Sequence, residues 1–457
     1  MTDTLRLMAE SWCRTDGVHN LDDLKEWVHQ RNQMVRVEIN KNRLEDSNDW
    51  YYDKTEGCIR NKKRSFFTIT GCVGPEFSQP IILQEEIGYL GLICKKINGV
   101  IHFLMQAKIE PGNVNAIQLS PTIQATKSNF FQKHGGAKPP YLEYFLNASD
   151  HEIVVDQVQS EQSSRFLKKR NRNIIIRVEE DLIEPPTHRW MTLGQIKQLM
   201  REDNLVNMDT RTVLSCIPFS RLACSQEEIQ ELADLFTDKE LFRSVFIGEN
   251  ENRLPELFHY FNDEKMFNEG ELRLIPLHEL SEWEMRDGEY VCKHPWPFKV
   301  VFCDIEIEGR EVRHWTQPLF EATGTACFGL LCCEADGLLR FVVRAKSEIG
   351  CFDTVELGPS VQQEAEGFAV KEDVVSHLFY ERLRNGHGIM FDHLLSEEGG
   401  RFYHEQNRNI MIRVKESELP VLPKDCFLLD YRTLNGLVQI NNTMNIQLRN
   451  LLSLLEA

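Results

Sequence analysis

Asp156, Ser160, Glu161, Arg165, Asn171, Arg172, Asn173 and Arg177 line up charge, hydroxyl and amide groups along one stretch, His151 to Val178. The same side chains return in the same order as Asp392, Ser396, Glu397, Arg401, Asn407, Arg408, Asn409 and Arg413. Guanidinium groups fork onto phosphate or carboxylate oxygens, and asparagine amides both donate and accept, so a diphosphate is a natural guest. Each copy also brings two carboxylates near the basic cluster, Asp156 with Glu161 and Asp392 with Glu397. Burial and neighbouring charge can push two such pKa values apart, which is what general acid and general base roles require. The same residues also suit a buried ion-pair network that orders a sheet, and for any single arginine or carboxylate both readings stay open.

The two copies fit H-x-I-x-x-D-x-x-x-S-E-x-x-x-R-F-x-x-x-x-N-R-N-I-x-I-R-V with a constant shift of 236 (387 − 151, 401 − 165 and 413 − 177), and 14 of the 28 positions are identical. Packing alone would keep the apolar periodicity and let polar residues drift, so the retained polar set marks a duplicated protein that holds something specific. If Asn171 to Val178 is extended, Ile174, Ile176 and Val178 share one face while Asn171, Asn173 and Arg177 share the other and line a cleft. Upstream, Phe103 to Gln124 answers Phe341 to Gln362 with 8 identities in 22 positions. Lys108 in this run could stabilise negative charge on a carbonyl oxygen as an enolate develops, and Ser120, Thr122, Gln124, Thr126, Ser128 and Asn129 could bind sugar hydroxyls. Ser-Pro-Thr at a strand end is equally ordinary turn chemistry. The second copy keeps Lys346 but has Cys351, Glu364 and Gly367 in place of Asn113, Thr126 and Asn129, which points to two diverged pockets.

Short β-rich runs punctuated by Gly and Pro, with helices at the end of each repeat, predict an α+β fold. Residues 1–36 carry Leu21, Leu24, Trp27 and Val28 at helical spacing and read as a packing or dimer arm. The first repeat is expected over 37–220 and the second over 273–457. Between them, 221–272 is a connector whose Ser225-Gln-Glu-Glu228 has capping-box spacing. A length of 457 residues fits two such domains.

A net charge of −18, from 70 acidic against 52 basic residues, argues against a nucleic-acid-coating surface, so any bound anion needs a local basic pocket. No run of about 18 apolar residues occurs and the N-terminus lacks an apolar signal core, so a cytoplasmic protein with no membrane association is expected. The 13 cysteines are scattered and odd in number, which suits a reduced compartment, and ligand spacing for a metal is missing.

Glu85-Glu86-Ile87-Gly88-Tyr89 looks like the tail of the Nudix box, whose glutamates hold magnesium for diphosphate cleavage. In register, the required Arg-Glu pair falls on Ile81-Ile82 and the earlier Glu on Val73, so the hydrolytic box is absent. Gly-rich dinucleotide and P-loop motifs are missing too.

The paired S-E-x-x-x-R-F…N-R-N segments, together with Gln106-Ala-Lys-Ile-Glu-Pro-Gly-Asn113, Ser120 to Asn129 and the His134-Gly135-Gly136 turn, resemble the NDP-hexose 2,3-dehydratases of unusual-sugar biosynthesis. The resemblance runs from about Leu21 to Leu455. It implies two tandem Nudix-like repeats without a functional box, a homodimer, and a substrate such as dTDP-4-keto-6-deoxy-D-glucose. The implied reaction removes water across C2 and C3 with no cofactor and no metal, giving a 3,4-diketo-2,6-dideoxy sugar nucleotide. A partner ketoreductase or aminotransferase would consume that product. Asp156 or Glu161 with Lys108, or Asp392 and Glu397 in the second pocket, are the expected catalytic groups. Two rivals remain, a non-catalytic nucleotide-sugar binder and a divergent Nudix-type hydrolase needing magnesium.

Overall fold

The computed structural model describes residues 2–64, 66–75, 77–126, 138–248, 253–268, 270–309, 312–365, 372–419 and 421–457. Ser128, Asn129 and the His134-Gly135-Gly136 turn lie outside them.

The N-R-N-I segment forms the strand Arg170–Arg177, and its β-branched run explains its place inside a sheet. Ile174 and Ile176 enter one buried cluster while Ile175 enters another, so the strand is covered on both faces. It runs parallel to Gly88–Ile97 and antiparallel to Glu152–Ser160. The sheet continues through Val100–Ile109 to His188–Met191, with Ile117–Ser120 and Ile123–Ala125 paired on its flanks. The counterpart Gln406–Lys415 lies between Ile389–Ser396 and Cys327–Ala335, and that sheet continues through Leu338–Lys346. Both sheets therefore share one strand order, including the single parallel pair at the centre.

The predicted tail helices form as Leu193–Leu199 and Tyr431–Val438. Each half then adds a second capped helix, Met208–Ser215 behind Asn207 and Ile446–Ser453 behind Asn445. The arm is two helices, Thr2–Trp12 and Leu21–Met34. In the connector, Ser225 and Glu228 close the expected capping box on Gln226–Leu235, and Lys239–Phe246 and Leu254–Phe267 follow. No helix among the described residues is long and apolar enough to cross a membrane. All thirteen cysteines are free.

The halves are interlaced. Val37–Asn42, leading into the first half, pairs with Phe298–Ile307 of the second, and Arg273–Ile275, leading into the second, pairs with Thr68–Val73 of the first. Two turns repeat the exchange: Gly112 N donates to Gly399 O at 2.7 Å, and Gly350 N donates to Ser163 O at 2.8 Å. A Cβ on Gly112 would lie 1.6 Å from Phe402 O, and one on Gly350 1.8 Å from Phe166 O, so only glycine permits either approach. One continuous apolar core draws on both large sheets and on the final helix of each half.

Candidate active site

This interlacing delivers the loop of one half to the sheet of the other. In the first cluster, Asn171 fixes Glu161 by donating Nδ2 to Oε1 at 2.8 Å, while its own Oδ1 accepts from Gly88 N at 3.1 Å. Glu161 N donates to Lys169 O at 3.0 Å, and the Lys169 ammonium donates to Glu86 O. Lys108 pairs with Glu110 at 2.7 Å and donates to Gln124 O at 3.2 Å. Asp209 enters from the first turn of Met208–Ser215, where the Asn207 cap fixes the helix start and Nδ2 of Asn207 reaches Gln124 Oε1 at 3.3 Å. From the other half come Glu398 and Arg401, the latter donating to Gln84 Oε1 at 3.1 Å and lying 4.5 Å over the Phe67 ring.

The electrostatics follow from dense burial. Loss of water, and next the nearby Glu398, push Glu161 up to about 7, with Lys169 opposing. Burial also raises Asp209 well above the ordinary carboxylate range, with Glu398 and Glu161 adding to it. Glu398 is raised and Lys169 lowered, each foremost by burial. Glu161 Oε2 and Asp209 Oδ2 are buried and have no hydrogen-bond partner among the described residues. Two neighbouring carboxyls with raised and unequal proton affinities are the kind of pair that proton abstraction and proton donation use.

The second cluster repeats the scaffold with different charges. Asn407 Nδ2 donates to Glu397 Oε1 at 2.7 Å, and Glu397 N donates to Glu405 O at 3.0 Å. Lys169, Asp209 and Glu398 are answered by Glu405, Gln447 and Gln162. Arg165 lies 4.3 Å over Phe298 and donates to Glu364 at 3.1 Å. Burial pushes Glu348 up to about 7 and Glu405 up to about 8. Lys346, and after it Arg165, oppose that rise at Glu348. Carboxylates dominate here, where the first cluster balances them with Lys108, Lys169 and Arg401.

Several sequence-selected residues are not brought to either cluster. Asp156 and Arg172 face outward and pair with each other through two contacts of 2.6 Å, and Asp392 and Arg408 do the same at 2.7 and 2.6 Å. Arg177 donates to Thr4 at 2.7 Å and so ties down the first helix, while Arg413 reaches Asp238 at 3.1 Å and Glu240 at 3.2 Å beside Lys239–Phe246. Ser120 donates to Gln106 O on the neighbouring strand and to Pro121 O, and Thr122 spends its hydroxyl on Leu104 O while accepting from Ile93 N, so both serve the sheet. Asn173 and Asn409 donate to the carbonyls of Asn171 and Asn407 and support those residues from behind. Thr126 lies beside Gly88 and Asn171 at the edge of the first cluster.

Identity between copies does not mark Lys169, Asp209 and Glu398, while Glu110 keeps its counterpart Glu348 but does not stand out beside Lys108. The signal for the first three is difference: each changes type inside an otherwise matched motif.

Fold and site together describe an α+β protein with two buried acid–base clusters shared between interlaced halves. A family model described as NDP-hexose 2,3-dehydratase matches residues 21–217 and 254–455, and the chain belongs to that family. Three relatives are named dTDP-4-dehydro-6-deoxy-alpha-D-glucopyranose 2,3-dehydratase. The one from Saccharopolyspora spinosa is 34% identical, covering 100% of this chain and 95% of its own. Those from Amycolatopsis orientalis and Streptomyces violaceoruber are 33% and 35% identical, covering 98% and 93% of this chain and 93% and 95% of theirs.

Proposed function

We propose that this chain dehydrates dTDP-4-keto-6-deoxy-D-glucose across C2 and C3, and that the first cluster does so. The observation that carries the reading is the convergence of Glu161, Asp209 and Glu398 with Lys108, Lys169 and Arg401 in one buried place. The C4 ketone acidifies the C3 hydrogen. Glu161 takes that proton, and Lys108 stabilises the enolate oxygen. The C2–O bond then breaks and Asp209 gives the departing hydroxyl its proton, so water leaves and the enol tautomerises to the 3,4-diketo sugar. Arg401 faces the diphosphate. Its guanidinium donates to the neutral amide of Gln84, whereas Arg165 is engaged by the carboxylate of Glu364. The second cluster, with Glu397, Asn407 and Lys346, does not turn substrate over.

We also read each half as Nudix-like, as the family resemblance implies; the shared strand order supports the duplication. Gln84 to Ile87 runs as irregular chain between two strands, not as the helix of a hydrolytic box. The duplicated unit then extends beyond 37–220 and 273–457 to include the helix pairs that precede them, because Arg177 and Arg413 grip those helices alike. A cytoplasmic homodimer working with a ketoreductase or aminotransferase completes the reading.

The test is incubation with dTDP-4-keto-6-deoxyglucose in deuterated water. Loss of one water with a solvent deuteron at C2 is the expected result. Unchanged substrate, or magnesium-dependent release of a nucleoside monophosphate, would overturn it.

A further inference from the structure

Arg449 is fully buried, and a guanidinium out of water is costly unless its donors are used. It sits on Ile446–Ser453, the last helix of the second half, yet spends its donors on the first half. Nη2 donates to Ser160 O at 2.5 Å, Nη1 reaches Ser160 Oγ at 3.4 Å, and Nε donates to Thr212 Oγ1 at 3.0 Å. Nη1 also donates to Met444 O at 2.5 Å, which ties the guanidinium to the turn that leads into its own helix.

Ser160 O and Glu161 N belong to one peptide group. Arg449 holds the oxygen end of that plane while Lys169 O accepts from the nitrogen end at 3.0 Å. With Asn171 holding Oε1, the carboxylate is fixed at both its root and its tip. The guanidinium charge also favours the ionised form of Glu161. Arg211 makes the mirror arrangement, donating to Val206 O at 2.7 Å and to Ser396 O at 2.8 Å, next to Glu397.

We propose that Arg449 is a positioning residue for Glu161, reaching across the interlaced halves to aim the base of the first cluster. This rests on Glu161 being that base. Arg211 is its structural twin beside the cluster that does not react.

The experiment compares Arg449→Gln, Arg449→Lys and Arg211→Gln for kcat, KM and the pH profile of kcat, with Glu161→Gln alongside. Misplacing a reacting group by about 1 Å can cost about 100-fold. Arg449→Gln is therefore expected to lose about that much kcat with KM nearly unchanged, and to move the acid limb upward by about half a unit or more. Arg211→Gln should lower the melting temperature similarly and leave the limb in place. Arg449→Lys should restore the limb position but only part of kcat, and it carries the test if the glutamine variant does not fold. Equal losses in both glutamine variants with an unmoved limb, or wild-type kcat in Arg449→Lys and Arg449→Gln, would overturn the proposal. A fully active Glu161→Gln would instead sink the site reading beneath it.

Discussion

Arg401, carried by the second half, donates through Nε and Nη2 to Oε1 of Gln84 in the first half, at 3.2 and 3.1 Å. Gln84 accepts these bonds without cancelling the guanidinium charge. Its twin Arg165 donates instead to the carboxylate of Glu364, which does cancel it. Charge-assisted bonds to phosphate contribute about 1.5–3 kcal/mol each, so Arg401→Gln should weaken dTDP binding by about 10- to 100-fold. Arg165→Gln should leave dTDP binding nearly unchanged, because that guanidinium is already spent on Glu364. Titration calorimetry decides, and equal effects would contradict the asymmetry.

Asp209 is the proposed acid, and its twin is Gln447. Removing a positioned general acid costs about 10²- to 10⁴-fold, so Asp209→Asn should lower kcat by that order while dTDP still binds. Lys169→Glu, which copies the charge at Glu405, should abolish turnover by placing a further carboxylate beside Glu161. Steady-state rates check both, and near wild-type kcat in either variant would count against the cluster.

Stability should fall as pH rises through neutrality. Burial foremost pushes Glu161, Glu348 and Glu356 up to about 7 and Glu405 up to about 8, from an ordinary 4.5. Groups with raised folded pKa values contribute fully below the unfolded value, and that contribution is lost as pH climbs through the folded one. The folded protein thus holds more protons than the unfolded chain between these limits. Urea unfolding at about pH 5.5 and about pH 8.5 should show the decline, and Glu405→Gln should shrink it. Stability rising across that window would contradict the burial of these groups.

Gly112 and Gly350 lock the halves together, so Gly112→Ala should destabilise by about 3 kcal/mol or more, at the upper end of overpacking effects. Gly350→Ala should match it, since the two would-be contacts are 1.6 and 1.8 Å. Thermal melts test this. Unchanged melting in either variant would mean that the turns do not sit against Phe402 and Phe166.

The 236-residue period made the twofold layout legible, because both copies of the N-R-N-I strand occupy the same place in matching sheets. Glu161, Asn171 and Lys108 could be picked out from chemistry, and the structure gathers them. Asp156 could not be placed from nearness along the chain. It lies an odd number of residues from Glu161, and a strand turns such positions to opposite faces, which leaves Asp156 paired with Arg172 outside. The crossing of Arg401 into the first cluster was illegible for another reason. Strand exchange between halves is set by tertiary pairing, and neither repeat's motif carries a local signal for it.

Of the duplicated pair Glu161 and Glu397, the proposed mechanism gives the chemistry to Glu161 alone. The most direct measurement is the single-turnover rate of water loss from dTDP-4-keto-6-deoxyglucose in Glu161→Gln and Glu397→Gln. Loss of a general base costs about 10²- to 10⁴-fold, so that drop is expected for Glu161→Gln alone, with Glu397→Gln close to the parent rate. The reverse order, or two variants equally active, would contradict it.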